Sequence, residues 1–185
     1  MGVSLPASPV RRQRRGTGQS CHPFTPTTQC FCTTEMSADF EPPPPSPRIA
    51  GGSARFALEI RPSAIHRFGM FAGETIPAGE RVIEYAGERI SYREAARRSQ
   101  QPINYLLWVA PGRVIDGSVG GSGAEFVNHS CEPNVAVEIS DGHAWFVSRR
   151  AIAAGEELLL DYKMRSEERL ACRCGSPQCR GYLNA

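Results

Sequence analysis

The chain has 185 residues, 41% of them hydrophobic, and a formal net charge of +2, which suits one domain with appendages around a single core. No run approaches the roughly 20 consecutive apolar residues of a membrane span, and no apolar stretch follows the N-terminal arginines, so neither a membrane nor a secreted protein is expected. Residues 1–34 carry +4 and the remainder about −2, so the body offers no nucleic-acid surface but tolerates a cationic peptide.

Residues 1–53 hold nine of the fifteen prolines, including Pro42 to Pro45, with no hydrophobic periodicity, and are expected to form a disordered Pro/Arg-rich tail. Arg11-Arg12-Gln13-Arg14-Arg15 reads as a solvated basic run, with a nuclear address or a transit peptide as alternatives. Met36 offers a second start. Cys21, Cys30 and Cys32 match no common metal spacing and receive no role.

From Arg55 onward, short apolar runs punctuated by glycine predict strands over 56–60, 81–85, 105–109, 135–139, 144–147 and 157–160. The similar turns Pro77-Ala78-Gly79-Glu80 and Ala153-Ala154-Gly155-Glu156 each lead into a strand. Ser91-Tyr92-Arg93-Glu94 has the form of a capping box and predicts one helix over 92–99. The fold class is therefore mainly β with few helices.

Cys172, Cys174 and Cys179 form a C-x-C-x4-C hook; together with Cys131 they make a four-sulfur set suited to tetrahedral Zn²⁺. An odd total of seven cysteines without an export signal favours metal over disulfides. A freestanding zinc knuckle beside a separately buried Cys131 is the alternative. Gly175 and Gly181 would let the backbone bend around the metal.

Five segments, in order, carry a resemblance: Ile65 to Ala72, Glu84 to Glu88, Phe126 to Asn134 with its Asn-His-Ser-Cys block, Glu157 to Tyr162, and the cysteine hook. Together they resemble a SET-domain protein lysine methyltransferase with a post-SET zinc motif, over roughly residues 55–185. Lys163 and the ending Cys-Arg-Gly-Tyr-Leu-Asn are more similar to the trithorax-like branch. The resemblance implies a SET domain over 54–164 and a post-SET motif over 165–185. It also implies a β-clip fold whose C-terminal pseudoknot threads the segment near Asp161 past a loop closed near Asn128.

The reaction so implied moves a methyl group from S-adenosyl-L-methionine to a lysine of a protein, a histone or a histone-like basic tail. An in-line displacement needs an aligned and uncharged amine, and an apolar, aromatic-lined channel beside the sulfonium charge disfavours the ammonium. The resemblance assigns Tyr162 as the principal catalytic tyrosine, Tyr105 as a second and Tyr85 to the lysine channel. Phe68, Gly69 and Met70 would curl under the methyl donor, with Asn128 and His129 holding it from the other side. Ordinary half-buried strand tyrosines, and a knot-stabilising polar pair at 128–129, are the structural alternatives. The competing reading of the whole chain is a SET-fold module that binds peptide or chromatin without turnover.

Three positions depart from the family pattern: Arg67 where glycine is frequent, Glu125 where arginine is common and a reversed charge near the knot is expected, and Leu160 two residues before Tyr162. Leucine leaves room there, so di- or trimethylation is expected. Specificity is placed in the short segment 91–121, which leaves scope for an accessory protein. Neither a membrane nor a direct nucleic-acid partner is expected, and the location would be intracellular: nuclear or chromosomal in a eukaryote, cytoplasmic in a bacterium.

Overall fold

Alternating short apolar runs and glycine turns become strands too brief for one large sheet, and the chain distributes them among three small ones. The computed structural model describes residues 47–101, 103–164 and 169–184; the basic run, Cys21, Cys30, Cys32, Met36 and Pro42 to Pro45 lie outside them. In chain order the elements are β1 (Leu58–Pro62), β2 (Phe68–Ala72), β3 (Arg81–Glu84), β4 (Glu88–Ser91), α1 (Tyr92–Arg98), β5 (Leu106–Ala110) and β6 (Arg113–Asp116). A 3₁₀ turn, Ala124–Phe126, then leads into β7 (Asn128–His129), β8 (Val135–Ser140), β9 (His143–Ser148) and β10 (Leu159–Leu160). Strands β1 and β2 pair as a hairpin, β4-β6-β5 form a three-stranded sheet, and β3-β9-β8-β10-β7 form a five-stranded one.

The core lies where these sheets meet. Met70, Ile76, Val82, Ile83, Val135, Phe146, Ile152 and Leu158 are almost fully buried in one cluster that Leu160 closes. Each such side chain contributes about 1.5–3 kcal/mol through its removal from water. In β3 both Val82 and Ile83 are buried, so this strand is covered on both faces at its centre.

The last strand makes the knot. β10 pairs in parallel with β7 through Leu159–Asn128 and Leu160–His129, and with β8 through Leu160–Val135. Residues 130–134, which join β7 to β8, therefore cross over β10. Two backbone bonds staple the crossing: Ser130 N–H to the Leu160 carbonyl at 3.0 Å and Asn134 N–H to the Leu159 carbonyl at 3.1 Å. Asn134 is fully buried and binds the threaded segment again, its Oδ1 accepting from Leu159 N–H at 2.8 Å and its Nδ2 donating to the Glu157 carbonyl at 2.8 Å.

The expected strands are present with ends shifted by up to two residues. Four others were not read from the sequence, because β2 contains glycine, β4 and β6 carry charged residues, and β7 has only two residues. Helix α1 follows its signal: Ser91 Oγ accepts from Glu94 N–H at 3.3 Å. The Glu94 carboxylate turns toward Arg97 and Arg98 instead of back to Ser91, so half of the capping box is formed. Ordered packing begins ahead of residue 54: Ile49 lies against the core and Ala50 N–H donates to the Ser122 carbonyl at 2.9 Å. Among the described residues no helix is long and apolar enough to cross a membrane.

Candidate active site and metal centre

The three tyrosines meet at one end of the knot. Tyr162, immediately after β10, keeps 41% of its surface exposed but turns its hydroxyl inward, donating to the Val127 carbonyl at 2.9 Å. Tyr85 is buried at the end of β3, and its hydroxyl donates to the Tyr105 carbonyl at 2.7 Å. Tyr105 is half-buried against Phe126, with ring centroids 6.1 Å apart, and Phe68 meets the same Phe126 edge-on at 6.2 Å. Burial first, and then the neighbouring phenols and carboxylates, raise the hydroxyl pKa values of Tyr85 and Tyr162 above the ordinary tyrosine value. Burial likewise raises that of Tyr105, against the pull of the Arg67 cation. All three therefore stay protonated at neutral pH.

Beside this cluster runs the segment expected to hold the methyl donor. Asn128 Nδ2 donates to the Phe68 carbonyl at 2.9 Å, to the His66 carbonyl at 3.4 Å and to Glu157 Oε1 at 2.8 Å. Acceptors on every side of Nδ2 fix the orientation of the amide and leave Oδ1 as its available acceptor. Phe68 is exposed, whereas Met70 is fully buried in the core with its carbonyl taken by Leu158 N–H at 2.7 Å. Of the expected trio, only Phe68 presents a side chain to a ligand. Arg67 has φ of 41°, the left-handed backbone in which glycine is at ease, so the departure from glycine adds a strained residue at this turn.

The four sulfurs are brought together. Cys131 Sγ lies 3.8 Å from Cys172 Sγ and 3.9 Å from Cys179 Sγ, and the four sulfurs, Cys174 included, fall within 4.8 Å of one another with no disulfide. Zn–S bonds of about 2.3 Å in a tetrahedron place sulfurs roughly 3.8 Å apart, so the donor set fits Zn²⁺. The hook is shaped by Cys172 N–H bonding to the Gly181 carbonyl at 2.9 Å and by positive φ at Gly175 (71°) and Gly181 (83°). Burial opposes ionisation of Cys174, but the amides of Cys131 and Ser176 and the neighbouring thiols outweigh it and lower the thiol to about 6.

His129 joins the two centres. Its Nδ1 accepts from Tyr162 N–H at 3.2 Å, which places the ring proton on Nε2, 3.5 Å from Cys131 Sγ. Burial lowers the imidazole pKa and keeps the ring neutral, as this pairing requires. Arg180 supplies a second tie that sequence reasoning missed. Its guanidinium takes both oxygens of Asp161, at 2.8 and 3.1 Å, and donates to the carbonyls of Tyr182 and Leu183 at 2.9 and 2.8 Å. Arg180→Ala is expected to lower stability by about 1–3 kcal/mol, read as a fall in Tm; an unchanged Tm would mean that this ion pair adds nothing to the hold on the tail.

Glu125 lies in the 3₁₀ turn that leads into β7. It is buried on the glycine-rich loop, its Oε2 accepting from Gly123 N–H at 2.8 Å. A β-carbon at Gly121 would strike its carboxylate, and one at Gly117 would press on both Glu125 and the Tyr85 hydroxyl. The glycine run of 117–123 is therefore the space that this carboxylate and Tyr85 occupy. Glu157 is the other residue not foreseen in the site; it lies half-buried just before β10, within reach of Asn128, Ser63 and Gly69.

Comparison with known proteins now gives this arrangement a family. The family model described as SET domain matches residues 67–163. A histone-lysine N-methyltransferase, H3 lysine-4 specific, of Saccharomyces cerevisiae is 42% identical over 136 residues, which is 66% of this chain and 13% of that protein. Its counterpart in Schizosaccharomyces pombe is 40% identical over 138 residues, 69% of this chain and 15% of the relative. Histone-lysine N-methyltransferase ATX2 of Arabidopsis thaliana is 40% identical over 142 residues, 70% of this chain and 13% of the relative. The chain thus spans about one-seventh of the length of these curated relatives. With more than half of its residues under the family model, in a knot that brings the matched segments together, the chain belongs to the SET-domain family.

Proposed function

We propose that the chain transfers methyl groups from S-adenosyl-L-methionine to a lysine side chain of a protein, with a histone H3 tail as the substrate class. The observation that carries this reading is the inward phenol of Tyr162, bonded to the Val127 carbonyl beside Tyr105 and Tyr85. A lysine costs about 4–5 kcal/mol to deprotonate at neutral pH. Apolar walls and a nearby positive charge reduce that cost by disfavouring the ammonium. The Tyr162 hydroxyl donates to Val127, so its oxygen lone pairs are free to accept a hydrogen bond from the amine and aim the nitrogen. Tyr85, committed to the Tyr105 carbonyl, keeps the second ring in place. Tyr162, Tyr105 and Tyr85 are thus assigned to the amine.

Phe68, Gly69, Asn128 and His129 are assigned to the donor, which supplies an electrophilic methyl on a sulfonium when bound. Met70 serves that group only through the backbone of β2. Cys131, Cys172, Cys174 and Cys179 are assigned to Zn²⁺, whose part is structural, since a set of four thiolates leaves no open position for chemistry. The names of the three relatives, all histone-lysine N-methyltransferases, support the same reaction. The short wall over 91–121 leaves scope for an accessory protein in substrate selection. The reading of a binding module without turnover has no observation in its favour, because the phenols, the cradle and the hook converge as transfer requires.

Incubating the chain with labelled donor and mixed histones tests the proposal, with label expected on histone lysine. Donor binding without transfer to any histone would contradict it. Leu160 is buried between His129 and Val135 and places no hydroxyl near the amine, so di- or trimethyl product is expected by mass spectrometry. Leu160→Tyr should shift that product toward monomethyl. Monomethyl product alone at saturating donor, with no effect of the substitution, would remove this assignment.

A further inference from the structure

Glu157 joins three pieces of backbone that the proposed reading places around the methyl donor. Its Oε1 accepts from Asn128 Nδ2 at 2.8 Å and its Oε2 from Ser63 Oγ at 3.0 Å. The Ser63 hydroxyl in turn accepts from Ile65 N–H at 3.0 Å, which fixes the turn between β1 and β2. On the remaining side the carboxylate lies against Gly69, where a β-carbon would collide with it. The backbone beneath is fastened as well, because Leu158 N–H bonds to the Met70 carbonyl at 2.7 Å. One carboxylate therefore buckles the β1–β2 turn, β2 and β7 together, two residues before β10, the strand that leads to Tyr162.

Every hydrogen bond to this carboxylate comes from a neutral group, so among the described residues its charge has no ion-pair partner. The charge is also felt at the Tyr162 phenol, where it adds to the effect of burial. A half-buried anion bonded to the Asn128 amide, within the cradle assigned to the donor, suits a cationic ligand. It discriminates between two ligands that are alike in shape but differ by one positive charge. The donor and its product are such a pair: a sulfonium before transfer and a neutral thioether afterwards, both carrying the same amino-acid and nucleoside ends.

We propose that Glu157 is a positioning residue for the methyl donor, whose carboxylate holds Ser63, Gly69 and Asn128 in the shape of the cradle and whose charge favours the sulfonium over the thioether product. This rests on the reading of the chain as an S-adenosylmethionine-dependent methyltransferase. Its effect is to keep the spent product from competing with fresh donor.

Calorimetric affinities of the full chain for S-adenosylmethionine and S-adenosylhomocysteine, measured for the natural chain and for Glu157→Gln, test it. Glu157→Gln keeps the size and one acceptor oxygen but removes the charge and the second acceptor; it is expected to weaken the thioether by about two- to fourfold, as loss of a single hydrogen bond does, and the sulfonium by about tenfold beyond that. Ser63→Ala keeps the charge and removes the two hydrogen bonds of the hydroxyl, to Glu157 and from Ile65 N–H, so it is expected to weaken both ligands equally, by about two- to fourfold. Equal loss of both ligands in Glu157→Gln, or no loss of either, overturns the charge preference while leaving the methyltransferase reading intact. Should Glu157→Gln fail to fold, a preference of the natural chain for the sulfonium that Ser63→Ala preserves supports the proposal, and its absence overturns it. A natural chain that binds neither compound removes the underlying reading together with this inference.

Discussion

Tyr162→Phe is expected to lower the methyl-transfer rate by about 100- to 1,000-fold while leaving donor affinity and zinc content unchanged. The substitution removes one hydroxyl whose hydrogen bond goes to the Val127 carbonyl, so its cost in stability is about 1 kcal/mol. The ring itself stays packed on His129, 5.4 Å away between centroids. Loss of rate without loss of binding separates a group that aims the amine from one that merely fills space. A variant retaining more than about a tenth of the natural rate would place the amine elsewhere. The pH dependence follows from the same hydroxyls. Burial raises the pKa values of Tyr162, Tyr85 and Tyr105, so all three phenols keep their protons between about pH 7 and 9. The rate should therefore climb with pH over that interval as substrate lysine becomes neutral, with no fall from tyrosine ionisation.

Removal of the metal is the second large effect. The tail over 169–184 contributes little to the core, and its ties to the body among the described residues include the four sulfurs, Arg180 on Asp161, Ser176 and Gln178 on the Glu132 carboxylate and the bridge of Met164 to Asn184. Structural zinc sites supply folding free energy directly, about 10–16 kcal/mol in isolated zinc-finger peptides. Without the metal, four thiols packed within 4.8 Å lose the ion that holds them, and Cys131 ceases to anchor the Nε2 side of His129. The body should persist, since Met70, Ile83, Phe146 and Leu158 do not depend on the hook. Chelation or Cys131→Ser is accordingly expected to reduce zinc from about one per chain to well below stoichiometric. Transfer should fall by at least about 100-fold, with far-ultraviolet circular dichroism largely unchanged. Full transfer in zinc-free protein would show that the hook is not needed to complete the site.

Much of this arrangement was legible because it rests on local chemistry. The C-x-C-x4-C spacing specifies a turn of thiolates whatever surrounds it, and the Asn-His-Ser-Cys block places Cys131 directly after the buried pair 128–129. Helix α1 followed from Ser91 and Glu94. The parts that escaped are those decided by tertiary contact. A two-residue strand such as β7 has no periodicity to detect, and the crossing of 130–134 over β10 is invisible in any one segment. Glu125 carried a charge but no sign that it would fold onto Gly117 and Gly121. Met70 was expected beneath the methyl donor, and the burial of its side chain in the core had no signature in the sequence. Glu157 and Arg180 looked like ordinary surface charges, because their partners Asn128 and Asp161 lie 29 and 19 positions away.

Tandem mass spectrometry of a histone H3 tail incubated with zinc-loaded chain and S-adenosylmethionine tests the central claim most directly. Methyl groups on lysine, absent when Tyr162→Phe replaces the natural chain, are the result expected of a tail-completed phenol site. Protein that holds its zinc and its methyl donor yet leaves every lysine of the tail unmodified would contradict it.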